Sequence, residues 1–441
     1  MHSERRARSN AARDHAARRL LPVVLSVAIT LPGLTLRVSG AHAEPALAAV
    51  AFGFSVVGAA FLLAWAAEAL QVDVSQGLAL ALLALIAVLP EYVVDFVFTW
   101  KAGKDPHQYA PLALANMTGG NRLLIGVGWS LVVLLAAWRI KRTAKARGYT
   151  GELDTDVHLD RTHAIEIGFL TVATIYSLTL PLKRTLTLVD AVVLVTLFVL
   201  YLARITRAPS GEPDLVGPAK LVGELPQRPR RIALALMFAF AAGAIFACAD
   251  PFAESLVHTG ERFGISTFLL VQWLAPLASE APELIVGALF AWRLNTNAAL
   301  GSLVSSKVNQ WTLLVGTLPL VFMISSAGFH GLPLDAVQRE ELFLTAAQSA
   351  FAVAVLANRS ISVREAWWLL VLFFSQFVLG AVLPHDLRAL ERIGVGVVYL
   401  VLAAGVLVRQ GRSMLRLLND GFRVPVRELA RSDPELVGEV S

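Results

Sequence analysis

Apolar residues along this chain gather in solid blocks, and polar residues collect between them. Twelve apolar segments are legible, at 20–36, 46–70, 76–100, 109–138, 163–182, 187–204, 231–256, 264–292, 297–324, 341–357, 364–382 and 392–408. About 20 apolar residues suffice to cross a bilayer core of roughly 30 Å as a helix. The blocks lack the period-2 alternation of an outer-membrane barrel. The pattern therefore predicts an all-α polytopic membrane protein. Two longer basic loops, 139–162 and 205–230, interrupt the spans, and a polar tail follows residue 409.

Composition sharpens this. Of 441 residues, 56% are hydrophobic and 16% charged, against about 45–50% and 25% in soluble domains. Soluble enzymes, DNA-binding domains and disulfide scaffolds are excluded, and the single Cys248 rules out an internal disulfide. The net charge of +5 gains meaning only when placed. With the N-terminus inside and spans alternating, 27 Lys and Arg fall inside and nine outside. This positive-inside bias predicts that both termini are cytoplasmic, and a plasma or inner membrane is the expected location. The charge thus reports orientation, not a nucleic-acid partner. The first span has a second reading: Arg18, Arg19, the apolar run from Leu20 and the Ala41-His42-Ala43 stretch also fit a cleaved signal peptide.

Two cations, Arg122 and Lys307, stand inside spans, one just after the first copy of an internal repeat and one at the end of the second. Pro90, Glu91, Val94, Phe98 and Trp100 recur in register as Pro282, Glu283, Val286, Phe290 and Trp292. After each Trp come a polar link, an Ala-Leu pair and a small polar stretch. The first runs Asn116-Met117-Thr118-Gly119-Gly120-Asn121 and the second Ser302-Leu303-Val304-Ser305-Ser306-Lys307. The span of the second copy is the fifth after that of the first, an odd number of steps, so the copies enter the membrane from opposite sides. Inverted repeats of this kind place two half-sites face to face near the midplane.

Ionisable groups deep in a bilayer are costly and are functional candidates by default. The repeats hold four: Glu91, Asp95, Glu280 and Glu283. Asp95 follows Glu91 by four residues and Glu280 precedes Glu283 by three, so each pair shares a helix face. Pro90 and Pro282 donate no N–H, which frees the carbonyls of Ile86 and Ala278. Carboxylates, freed carbonyls and nearby hydroxyls and amides make the oxygen-rich surroundings that hard cations require. Trp100 and Trp292 read as interfacial anchors, and Gly119-Gly120 as a site of close helix approach.

These residues give the chain its resemblance to the calcium/cation antiporter superfamily, which includes the sodium/calcium exchangers. That family carries two repeats, each with a Gly-Thr-Ser-x-Pro-Glu helix followed by a Gly-Asn-x-x-Gly-Ser-Asn-x-x-Asn/Asp helix. Leu89-Pro90-Glu91 and Ala281-Pro282-Glu283 match the end of the first motif, and the two small polar stretches match the second. The resemblance implies two inverted five-helix repeats with one extra helix at each end. The expected division is 1–45 for the N-terminus and first span, 46–204 and 231–382 for the halves, 205–230 for a linker, and 383–441 for an extra span and basic tail. It also implies a non-enzymatic secondary cation antiporter working by alternating access. Its ligands would be transported cations (Ca²⁺, Na⁺ or H⁺), with no cofactor. Its partners would be membrane lipids and inorganic cations, with no oligomeric state implied. Two alternatives stand beside it: a cation/proton exchanger that does not handle Ca²⁺, and a degenerate non-transporting scaffold or sensor.

The departures from the family pattern define the site expected here. The two hydroxyls before Pro-Glu become Ala87 and Val88 in the first copy, but Ser279 and Glu280 in the second. The motif serine is Gly120 in one copy and Ser306 in the other, and the last Asn/Asp becomes Leu124 and Gln310. The first half-site is thinned while the second keeps its donors and gains a carboxylate. The ion-binding set is therefore Glu91, Asp95, Asn116, Asn121, Ser279, Glu280, Glu283, Ser306, Lys307 and Gln310. Lys307 would occupy the place of a monovalent cation, with Glu283 or Glu91 as its partner. Asp95 and Glu280 would bind cations or pair with Arg122 or Lys307. The four acids and two bases sum to a formal charge of −2.

Overall fold

The computed structural model of the chain describes residues 2–41, 43–73, 88–207, 215, 217–384 and 387–431. Among the described residues, ten helices are long and apolar enough to cross a membrane. The expected segment at 76–100 is described only from residue 88, as helix α3 (Leu89–Ala102). Ile86 and Ala87 lie outside the described residues. Segment 364–382 is the 20-residue helix α14 (Val363–Val382). The fold is all-α and polytopic, as the pattern requires.

Contacts divide the chain into two compact units, Met1–Val94 with Ser210–Ile265, and Asp95–Pro209 with Ser266–Ser441. In the first, α2 (Pro45–Leu70) packs along α1 (His2–Ser39) and α9 (Gln227–Phe263). Membrane helices have no hydrophobic drive toward one another, so small residues let them approach. Gly58 meets the Ser26 carbonyl and the Thr30 hydroxyl, Gly53 lies against the Phe252 ring, and the Gly33 N–H donates to Ser55 Oγ at 3.0 Å. At the edge of this unit, Arg230 Nε and Nη2 donate to the two Asp73 oxygens at 2.8 and 2.9 Å. Those hydrogen bonds hold the Asp73 carboxyl below its ordinary pKa.

The second unit holds two comparable helix series. The first consists of α4 (Pro106–Leu123), α5 (Ser130–Ala146), α6 (Ala164–Ser177) and α7 (Leu188–Ile205). The second consists of α10 (Thr267–Trp292), α11 (Thr296–Asn309), α12 (Val315–Ser326), α13 (Ala336–Val355) and α14. Capping boxes at Thr187/Asp190, Asp335/Gln338 and Ser362/Glu365 satisfy the first N–H groups of α7, α13 and α14.

Four two-residue strands reveal the inversion. β1 (Val157–His158) and β2 (Thr185–Leu186) flank α6, and β3 (Leu332–Pro333) and β4 (Ser360–Ile361) flank α13. β1 pairs with β4 and β2 with β3, both antiparallel. The strand before one helix thus meets the strand after the other, so α6 and α13 run in opposite directions. The repeat helices agree. Beyond the end of α3, Lys104 Nζ donates to the Ser325 carbonyl at 2.6 Å, at the end of α12. Asn297, at the start of α11, exchanges hydrogen bonds with Asp160 at 2.9 and 2.6 Å. Helix α3 therefore runs toward the Ser325 end, while α10 runs toward the Asn297 end.

Gly119 makes the tightest helix crossing in this unit, with α4 against α10. A Cβ there would lie 1.8 Å from the Gln272 carbonyl oxygen. Gly119→Ala should therefore lower the thermal midpoint of the detergent-purified protein, since overpacking costs about 1–3 kcal/mol. Gly243→Ala on α9, whose added methyl meets nothing within 4 Å, should be neutral or stabilising by up to about 1 kcal/mol.

Candidate functional site

In both repeats the helix carrying the small polar stretch changes its winding at the same place. Helix α4 gives way to a π-helix at Leu124–Trp129 before α5, and α11 to one at Gln310–Leu314 before α12. Leu124 and Gln310 are equivalent repeat positions. Single π turns inside α-helices are frequent at functional sites. The sequence carries no signal for them beyond the polar stretch that precedes each.

In the second repeat, α10 and α11 form an antiparallel hairpin whose polar residues meet in rungs. Ser306 Oγ donates to Glu283 Oε2 at 2.6 Å, and Gln310 Nε2 donates to Glu280 Oε1 at 2.9 Å. Ser279 Oγ turns back to its own helix, donating to the Ala275 and Pro276 carbonyls at 3.2 Å. In the first repeat, Asn116 Nδ2 donates to Asp95 Oδ1 at 2.7 Å. Both residues are fully buried, and Asp95 Oδ2 has no hydrogen-bond partner among the described residues. Glu91 is buried on the first turn of α3 and belongs to the first unit.

Asn121 links the two repeats. Its carbonyl and its side-chain oxygen accept from Lys307 Nζ at 2.8 and 2.6 Å, while its own Nδ2 donates to the Met117 carbonyl at 2.9 Å. Lys307 is fully buried and lies 5.0 Å over the Trp311 ring. An expected Glu283–Lys307 ion pair is not formed, because the Ser306 hydroxyl serves Glu283 and Asn121 receives the ammonium. Lys307 is a buried member of the polar cluster and does not snorkel to an interface.

Arg122 leaves the cluster altogether. Its Nη2 meets Glu341 Oε2 at 2.6 Å, its Nη1 donates to Gln376 Oε1 at 2.9 Å, and its guanidinium lies 5.1 Å over the Trp273 ring. Gln272 Nε2 donates to the same Glu341 oxygen at 2.9 Å. Pairing of Asp95 with Arg122 is thereby replaced by Asp95–Asn116, and the cluster keeps one base rather than two. Glu341, Gln272 and Gln376 were not legible from sequence. Glu341 stands beside Arg339 and Glu340 at the edge of an apolar segment, where charges usually mark an interface. Glu166, buried near the start of α6 and 3.6 Å from His163 Nδ1, was missed for the same reason.

The opposed helix directions have a geometric result. Asp95 comes one turn after Glu91 on α3, and Glu280 one turn before Glu283 on α10. Because α3 and α10 run oppositely, both extra acids are displaced toward the same end, the one that carries Ser325. Trp100 and Trp292 are both half exposed at their helix ends, and Trp292 lies 5.3 Å from Trp138.

Removing Glu341 alone would strand a buried guanidinium, which typically costs about 3–5 kcal/mol. Glu341→Leu should therefore destabilise the purified protein strongly. The double change Arg122→Leu with Glu341→Leu should recover most of the loss. Thermal unfolding of the three proteins measures both effects.

The sodium/calcium exchanger protein family matches residues 45–207 and 233–383. No curated protein matches. Among solved structures, the crystal structure of the H⁺/Ca²⁺ exchanger CAX is 38% identical, with a TM-score of 0.83 over 95% of this chain and 100% of that one. Native YfkE shares the fold at 14% identity, with a TM-score of 0.58 over 87% of this chain and 99% of that one. The matched stretches make up most of the sequence, so the chain belongs to the sodium/calcium exchanger protein family, a family of membrane cation antiporters and not of enzymes.

Proposed function

We propose that this chain is a secondary active antiporter that exchanges Ca²⁺ for protons by alternating access at its repeat carboxylates. The observation that carries this reading is the neutral surroundings of two acids inside membrane helices. Asp95 accepts from the Asn116 amide and Glu283 from the Ser306 hydroxyl, and neither forms an ion pair among the described residues. A bare carboxylate at that depth is prohibitively costly. Its charge must be balanced by a proton or a metal cation, and alternation between those two is antiport. The 38% identical relative, named as an H⁺/Ca²⁺ exchanger, supports the same choice of ions.

Ion-binding residues of the second unit under this reading are Asp95, Asn116, Ser279, Glu280, Glu283, Ser306 and Gln310, with Asn121 and Lys307 completing the cluster; Glu91, one turn before Asp95 on α3, is the ion-binding residue of the first unit. Lys307 acts as a tethered monovalent cation. Its ammonium occupies the Asn121 oxygens permanently, which removes a place where Na⁺ would otherwise couple. The oxygen donors suit a hard divalent ion. With the basic loops inside, the Ser325 end faces outward. Asp95 and Glu280 then give the outward branch of the pathway extra negative charge.

Calcium flux in proteoliposomes tests the reading. An imposed pH gradient should drive Ca²⁺ uptake in the wild type. Asp95→Asn and Glu283→Gln should each lower it by about tenfold or more, the scale of one lost charged ligand hydrogen bond. Lys307→Asn should make the flux sensitive to Na⁺. Absence of pH-driven Ca²⁺ flux, or wild-type flux in both acid variants, overturns the proposal.

A further inference from the structure

At the end of the second unit that carries Asn297, a cavity of about 520 Å³ opens between the turn after α13 and the last turns of α15 (Arg388–Phe422). Three arginines line it: Arg161, Arg359 and Arg416. Arg161 is committed, because its Nε and Nη2 donate to the two oxygens of Asp420, which also lines the cavity, both at 2.8 Å. Arg359 and Arg416 have no carboxylate partner among the described residues. The cavity therefore carries an uncompensated charge of two guanidinium groups.

Arg359 stands in an unusual backbone conformation. Its φ is 61°, in the left-handed region where glycine is at ease and a side chain costs about 1–2 kcal/mol. Two backbone hydrogen bonds hold it there. Its N–H donates to the Leu356 carbonyl at 2.9 Å, and its carbonyl accepts from the Leu159 N–H at 2.8 Å, next to the β1–β4 pair. The turn alone would favour glycine, and the residue that stands there instead lines the cavity with a guanidinium. Depth supplies a third observation. Arg416 lies about 42 Å along α15 from Arg388, at 1.5 Å per residue. That exceeds the roughly 30 Å hydrocarbon core, so Arg388 and Arg416 do not both lie within it.

We propose that this cavity binds a phosphate-bearing anion. Guanidinium forks match phosphate oxygens in geometry and charge. Because α15 is longer than the hydrocarbon core is thick, the headgroup of an acidic phospholipid is one source and soluble phosphate the other. Asp420 does not repel the anion appreciably, because Arg161 neutralises it at contact distance.

The test uses the full-length purified protein. One arm measures retention of phosphatidic acid against phosphatidylcholine by native mass spectrometry. The other measures the thermal midpoint in inorganic phosphate against chloride at equal ionic strength. The variants are Arg359→Gly, which relieves the backbone and should fold, Arg416→Gln, and Arg409→Gln as an exposed control outside the cavity. Arg359→Gly and Arg416→Gln should weaken binding about tenfold, the equivalent of one charge-assisted hydrogen bond, while Arg409→Gln stays near wild type. Binding of the lipid alone assigns the headgroup, and stabilisation by phosphate alone assigns the soluble anion. If neither probe binds the wild type, if the cavity variants bind as wild type, or if Arg409→Gln loses as much as they do, the proposal is overturned.

Discussion

A charge inside a bilayer must be answered where it stands, and much of the second unit is arranged around that constraint. Asp95, Lys307 and Arg122 are buried and Glu283 is part-buried, and each has a polar neighbour on an adjacent helix. The answers are of two kinds. Arg122 receives a full counter-charge from Glu341, with Gln376 alongside, which makes it a permanent structural tie. Asp95 and Glu283 receive only an amide and a hydroxyl. Those neutral partners orient the carboxylates without discharging them. The difference separates the charges that hold the helices together from those able to exchange a ligand.

The same constraint explains the helix hairpins. Rungs such as Glu283–Ser306 and Glu280–Gln310 form only if α10 and α11 run antiparallel with small residues between them. Close approach of α4 to α10 at Gly119 then brings Asn121 within reach of Lys307. Packing and polarity are thus one arrangement here: the glycine that permits the crossing also sets where the ammonium is received.

Much of this was legible in the sequence, because membrane folding writes large signals. The spans, the repeat at Pro90-Glu91 and Pro282-Glu283, and the buried acids follow from hydropathy and cost alone. The resemblance to sodium/calcium exchangers rested on those residues, and the family match supports it. Pairing was less legible. A span places a residue at a depth but does not say which neighbour it faces, so the reach of Arg122 to Glu341, distant by more than 200 positions, left no local trace. The two-residue strands are too short to show alternation. Helix α15 runs on to Phe422 as one piece, because Arg409, Arg412 and Arg416 are good helix formers that simply continue a span out of the membrane. A polar tail after residue 409 was the expectation from the sequence.

The paired π turns carry a mechanical consequence. A π turn holds one residue more than an α turn would, so it is a stored unit of slack. If that residue were taken back into α geometry, everything on one side of the turn would rotate by about 100° and advance by about 1.5 Å relative to the other. In each repeat the slack lies just beyond the polar stretch, after Leu123 in one and after Asn309 in the other. Each helix can thus re-aim its polar face while the rest of the same helix stays seated. Two such screws, threaded in opposite senses through the membrane by the inversion, form a matched pair.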